Sequence, residues 1–131
     1  DWSSDVCSSD LNAAGGRVAL YGTYVGPDGK AQHLNASDIQ LQNGGLWISP
    51  ATGTRYPAGW NLRVPKFGLD LIVQPELADQ ELNTTDSTGM IYWEGKSTVQ
   101  GFGPGGKPIE GDAYVELTGY AKPAASAPGA R

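Results

Sequence analysis

One Cys and one His occur among the 131 residues. A single Cys excludes an internal disulfide framework and a cysteine-rich zinc site, and the lone His33 leaves a metal site without support. Long apolar runs are missing too. Val18 to Tyr21 is an unbroken apolar stretch of four residues and none is longer, whereas a membrane-spanning helix needs roughly 20. No basic and apolar leader of the secretory type opens the chain. Charged residues make up only 18%, with an acidic formal balance of −5, which argues against nucleic acid or an anionic membrane as partner. No G-x-S-x-G is present, so nothing supports a serine hydrolase.

Glycine and proline are abundant, at 19 and 9 residues. In a helix interior they cost about 1 and about 3 kcal/mol relative to Ala, so a helical bundle is close to excluded. Twelve aromatics in short runs between turns suit one all-β domain. The first eleven residues stand apart. DWSSDVCSSDL repeats Ser-Ser-Asp, shows neither strand nor helix period, and holds the only Cys. It resembles the in-frame translation of a common short-read sequencing adapter at every position; the alternative is a natural Ser/Asp-rich, disordered N-terminus. On the adapter reading residues 1–11 are non-native and disordered, and Asp1, Asp5 and Asp10 drop out, taking the net charge to −2. The domain then covers 12–122, and the Ala/Pro/Ser/Gly-rich stretch 123–131 is a disordered tail.

Period-2 patterning places the strands. Arg17–Val25 is β-branched and aromatic, with Gly22 as a bulge or close-approach point. Gly26-Pro27-Asp28-Gly29-Lys30 is a turn in which Pro presets φ and Gly supplies a positive φ. Ala31–Leu34, Asp38–Leu41, Leu46–Ser49, Trp60–Val64 and Leu69–Val73 read as further strands, followed by an extended stretch Pro75–Leu82. Met90–Gln100 and Gly111–Tyr120 are the longest, joined by the Gly/Pro-rich loop Gly101–Pro108. Centring that hairpin near residue 106 pairs Trp93 with Gly119, Tyr92 with Tyr120, Lys96 with Glu116 and Glu94 with Thr118. One face then carries Ile91, Trp93, Val99, Val115 and Leu117; the other carries Tyr92, Glu94, Lys96, Glu116, Thr118 and Tyr120. The whole predicts an antiparallel meander that closes, or nearly closes, into a β-barrel.

Several strings are more specific. Leu46-Trp47-Ile48-Ser49-Pro50-Ala51-Thr52-Gly53-Thr54-Arg55-Tyr56-Pro57-Ala58-Gly59-Trp60 is followed by Asp79-Gln80-Glu81, then Tyr92-Trp93-Glu94-Gly95, then Gly111 and Tyr114-Val115-Glu116-Leu117-Thr118-Gly119-Tyr120. In this order the set resembles the C-terminal domain of the carotenoid 1,2-hydratase-like (AttH-like) lipocalin family, over about residues 20–122. The resemblance implies a lipocalin-like β-barrel, complete or missing its first strands. It also implies an N-terminal sister lipocalin-like domain, an exported (periplasmic or secreted) bacterial protein, and a hydrophobic small molecule such as a lipid or isoprenoid as ligand. The family's favoured proton donor lies in opening strands upstream of Asn12, so that role cannot be carried over and this stretch alone is expected to be inactive.

Three functions are compatible with these residues: a binding module without chemistry of its own, part of a hydratase adding water to an isoprenoid double bond, or a half-barrel that packs on its sister domain. No cofactor is implied. Hydration needs an acid that protonates carbon and aromatic faces that stabilise the cation. The candidate acids are Asp79, Glu81 and Glu94; the candidate ligand-binding residues are Trp47, Tyr56, Trp60, Tyr92, Trp93, Glu116 and Tyr120. Each has a plainer role. Asp79 and Glu81, two apart on one side of an extended strand, suit a solvated strand end. Glu94 suits an outward pair with Lys96 or Lys122, and Glu116 a cross-strand pair with Lys96. The aromatics suit core packing. GFGPGGK around Gly103 lacks the Ser/Thr of a phosphate loop after Lys107 and reads as a hairpin turn.

Overall fold

Short alternating runs between Gly- and Pro-bearing turns fold as strands throughout. A computed structural model describes residues 20–122 and, for residues 3–7, the course of the backbone. The other adapter-like residues and the tail 123–131 lie outside the described residues. The strands are β1 (Ser3–Cys7), β2 (Tyr21–Val25), β3 (Ala31–Leu34), β4 (Gln40–Asn43), β5 (Leu46–Ile48), β6 (Arg55–Pro57), β7 (Trp60–Val64), β8 (Leu69–Pro75), β9 (Glu81–Thr84), β10 (Met90–Phe102) and β11 (Pro108–Leu117). All pairings are antiparallel. They make a six-stranded curled half-barrel in the order β11-β10-β8-β7-β4, with β9 also on β10, a three-stranded sheet β1-β2-β3 and a two-stranded sheet β5-β6. The expected all-β meander is present, and it is an open one.

One face of the half-barrel carries the core. Trp60, Leu62 and Val64 of β7, Leu69, Leu71 and Val73 of β8, Trp93 and Val99 of β10, and Leu117 of β11 are all buried on it. Their alternation with exposed Asn61, Arg63, Asp70 and Ile72 follows the strand period. Tyr24, Leu34 and Tyr56 from the two smaller sheets, with Ile39 just before β4, complete the cluster. Tyr24 also stacks on Phe67, with ring centroids 4.1 Å apart, which ties the three-stranded sheet to the turn after β7.

Four local readings change. The β10–β11 hairpin is centred on Gly105, so Trp93 faces Leu117, Glu94 faces Glu116 and Lys96 faces Tyr114. Gly105 and Gly106, with φ of 74° and 71°, close a tighter loop than expected, bonded from Gly103 N to Lys107 O at 2.8 Å. Because the slip is an even number of residues, the side chains within the paired strands keep their predicted faces; Tyr120, beyond the end of β11 and after Gly119 at φ 81°, instead turns to the core side and packs on Tyr56. Lys96 consequently meets Glu76 at 3.4 Å and Asp112 at 3.5 Å in place of Glu116. Gly22 is in regular register with Leu34 and makes no bulge. Asp38 belongs to a one-turn 3-10 segment, Ala36–Asp38, where its carboxylate accepts from Asn35 N at 2.9 Å. Ser3–Cys7 pairs with β2 where disorder was expected; a ladder satisfies backbone groups whatever the side chains, so the free edge of β2 accepts an extended segment without a strand-like pattern.

Candidate functional site

The turn between β5 and β6 builds the site from its own hydroxyls. Ser49 Oγ accepts from the amides of Ala51 and Thr52, each at 3.2 Å, while Gly53 N donates to Ser49 O at 2.8 Å. Gly53 has φ 72°, which suits a residue without Cβ. With two amides on its lone pairs, the buried Ser49 hydroxyl has its proton left to give. It gives it to Glu81 Oε1 at 2.7 Å. Thr52 Oγ1 lies 2.9 and 3.1 Å from the two oxygens of the same carboxylate, and Tyr56 Oη donates to Oε2 at 2.8 Å. Three hydroxyl donors thus converge on a group that, ionised, only accepts.

Glu81 reaches this turn because the chain leaves the sheet between β8 and β9. The gap in the ladder is filled by Gln80, whose carboxamide stands in for a peptide group: Nε2 donates to Lys96 O at 3.1 Å, and Oε1 accepts from Lys96 N at 3.0 Å. Gln80 O also accepts from Glu94 N at 3.2 Å. Gly95 is what makes room, since a Cβ there would fall on the Gln80 carboxamide. Nearby, Trp93 Nε1 donates to Ala78 O at 2.9 Å and pins the bend.

Two further rings pack on Tyr56, the aromatic donor to the carboxylate. Trp47 stacks on Tyr56 with centroids 5.9 Å apart, and Tyr120 packs on Tyr56 at 5.8 Å. Tyr56 is buried while Trp47 and Tyr120 are half-buried, so the rim of the cluster is open. Burial raises the Tyr56 phenol above its ordinary range, and the hydrogen bond to Glu81 and the charge of that carboxylate raise it further. Its proton therefore stays on Oη and the phenol remains a donor.

Of the expected residues, the structure brings together Glu81, Tyr56, Trp47 and Tyr120. Trp93 lies opposite Glu81 in the β9–β10 ladder and so shares its face, but Trp93 and Trp60 are buried in the core. Asp79 does not share a strand side with Glu81: it precedes β9, is exposed, and its Oδ1 accepts from Glu81 N at 3.4 Å. Glu94, Glu116 and Tyr92 occupy the opposite face. There Glu94 is half-buried beside Tyr114, whose phenol is raised by desolvation and then by Glu94, Tyr92 and Glu116. His33 is exposed on β3, across from Thr23. No group of three His, Cys, Asp or Glu side chains able to hold a metal occurs among the described residues. Ser49, Thr52 and Gln80 were not among the expected site residues; the Ser-Pro-x-Thr-Gly spacing, a hydroxyl-capped turn, is the signal that points to the first two.

The family model described as AttH-like matches residues 5–120, a span that begins inside the adapter-like segment. A protein described as AttH from Nitrosomonas europaea has a similar structure, at 26% identity and TM-score 0.70, covering 83% of this chain and 32% of that one. Kievitone hydratase from Nectria haematococca is similar in fold, at 22% identity and TM-score 0.64, covering 88% of this chain and 34% of that one. The chain therefore spans about a third of the length of these solved relatives. None of the curated proteins matches it at a significant level. With the Trp47–Trp60 signature, Asp79-Gln80-Glu81 and Tyr92-Trp93-Glu94-Gly95 all inside the matched span, the chain belongs to the AttH-like family.

Proposed function

We propose that this chain is the lipocalin-like module of an exported, hydratase-related protein, and that it binds a hydrophobic small molecule carrying a hydroxyl group, such as an isoprenoid alcohol. The observation that carries the reading is the open aromatic wall of Trp47, Tyr56 and Tyr120 beside the Glu81 carboxylate. The rings match an apolar chain. A carboxylate has about four lone-pair positions; Ser49 and Tyr56 donate to one each, and Thr52, with a single proton, lies between the other two at 3.1 and 2.9 Å and can fill only one of them. The remaining position can accept one ligand hydroxyl. The N-terminal sister domain belongs to the same proposal, since each solved relative is more than twice as long as this chain.

The hydratase alternative has one observation in its favour, the likeness in fold to kievitone hydratase. Its chemical requirement is a carboxylic acid that can give a proton to carbon. Glu81 is held by three donors, which suits an acceptor; Asp79 is exposed; and Glu94 lies on the far face. Binding is therefore the better-supported reading. Titration with farnesol, followed by tryptophan fluorescence, tests it. Saturable quenching that weakens about tenfold in Trp47→Ala is expected. Unchanged fluorescence at saturating farnesol removes the reading. Incorporation of isotopically labelled water into the alcohol would move the assignment to the hydratase.

A further inference from the structure

The face of the half-barrel opposite the core carries a second feature, a furrow of about 420 Å³. Its floor is a grid set by strand register. In one row Gln40, Arg63, Asp70 and Phe102 stand side by side across β4, β7, β8 and β10; in the next row Gln42, Asn61 and Ile72 do so. All seven are exposed. Gly101 shapes the end of the furrow, because its missing Cβ lets β10 close on the Asp70 carbonyl of β8. That approach brings Phe102, 54% exposed, to the end of the row.

The chemistry of this lining is specific. Three carboxamides, from Gln40, Gln42 and Asn61, each offer a donor pair and an acceptor at fixed spacing. Arg63 and Asp70 pair with each other, Nη2 to Oδ2 at 3.2 Å and Nε to Oδ1 at 3.2 Å, so the lining carries no net charge. An anion or a metal ion finds no unbalanced partner in it. Neutral, planar hydrogen-bonding groups beside one exposed aromatic ring complement a molecule with hydroxyls around its edge and C–H bonds on its face. We propose that this furrow is a binding site for a neutral pyranose sugar, separate from the aromatic wall at Glu81. Phe102 supplies the stacking platform, and the carboxamides read the equatorial hydroxyls. The volume falls in the lower part of the range of roughly 300–1,000 Å³ usual for small-molecule sites. One carboxylate, already paired, does not supply the two separated carboxyl groups that glycoside hydrolysis uses, so the site binds without cleaving.

Two-dimensional amide NMR of the full chain tests the proposal, with glucose, mannose, cellobiose and maltose as probes and sorbitol as an open-chain control. Saturable shifts at Gln42, Asn61 and Phe102 are expected with at least one cyclic sugar in the millimolar range, and weaker ones with sorbitol. Phe102→Ala should weaken binding about fivefold and Asn61→Ala by a similar factor, while Thr98→Ala, on the same face outside the furrow, should not. Each variant changes an exposed side chain, and an unchanged spectrum elsewhere reports that it folds. Absence of shifts with every sugar overturns the proposal. So does sugar binding that survives both furrow variants.

Discussion

Replacing Glu81 by Ala removes the acceptor shared by Ser49, Thr52 and Tyr56. Thr52 keeps an alternative, because its Oγ1 lies 2.8 Å from Thr54 Oγ1. Tyr56 also touches the Thr54 hydroxyl, and Ser49 and Tyr56 are both buried, at 2% and 1% exposure. An orphaned buried donor costs about 1–3 kcal/mol, so two of them predict a loss of about 2–6 kcal/mol, with about 3 as the central value because Thr54 takes up part of the Tyr56 share. Domains of this size are typically stable by about 5–15 kcal/mol, which leaves the variant folded but weak. Glu81→Gln should cost less, about 1–2 kcal/mol, since the carboxamide retains one acceptor and turns an NH₂ toward the other donors. Urea denaturation at constant m reads these differences as shifts in midpoint. A double-mutant cycle makes the test sharper. Tyr56→Phe should cost about 1–2 kcal/mol in the native background and close to nothing beside Glu81→Ala, because there the phenol has already lost its carboxylate partner. A loss under about 0.5 kcal/mol for Glu81→Ala, or an equal cost of Tyr56→Phe in both backgrounds, would refute the reasoning.

Gly95→Ala places a Cβ on the Gln80 carboxamide and should lower stability by about 2 kcal/mol by expelling it from the Lys96 peptide; in a Gln80→Ala background the same change should cost much less, and strict additivity of thermal midpoints would contradict the fit described. Tyr56 ionises above its usual 10.0 because of burial and then Glu81, so its contribution is whole below about pH 10 and is lost as pH rises toward the folded value. Stability measured by urea should therefore fall more steeply above about pH 10 in the native protein than in Tyr56→Phe, and parallel slopes would count against it.

The parts of the fold legible in the sequence are those written in local pattern. Trp60–Val64 alternates without interruption and is a strand over those same residues. The Gly26–Lys30 turn is present, with Gly29 at φ 75° and bonded to Gly26 O at 2.9 Å. The hairpin register was missed because it depends on how two adjacent left-handed glycines, Gly105 and Gly106, tighten a loop, and composition does not encode loop height. For the candidate site, Glu81, Tyr56, Trp47 and Tyr120 were among the residues named and are together. Asp79 was grouped with Glu81 on the premise of a continuous strand, and the bend before β9 breaks that premise. Gln80 was invisible for a different reason: a side chain substituting for backbone has no periodicity. Ser49 and Thr52 meet Glu81 across separations of 32 and 29 residues, a distance that local turn chemistry does not span.

Gln80 and Glu81 explain together why the break between β8 and β9 exists. A continuous strand would have bonded to β10 through its own peptides and carried the chain past the β5–β6 turn. The bend instead hands the ladder to a side chain, Gln80, and frees the next residue to enter the turn. The β5–β6 pair continues the β4–β7 ribbon in the same register, through Gly44 N to Gly59 O at 2.7 Å and Ala58 N to Gly45 O at 3.0 Å, so the hydrogen bonds to Glu81 are a polar junction between the far end of that ribbon and β9, and Trp47, Tyr56 and Tyr120 are its apolar part. A ligand hydroxyl received at the remaining Glu81 lone pair would add to that same junction. Binding there and the hold of β9 on the end of the ribbon are then one quantity measured in two ways, so amide exchange in β5 and β6 should slow when the aromatic wall is occupied.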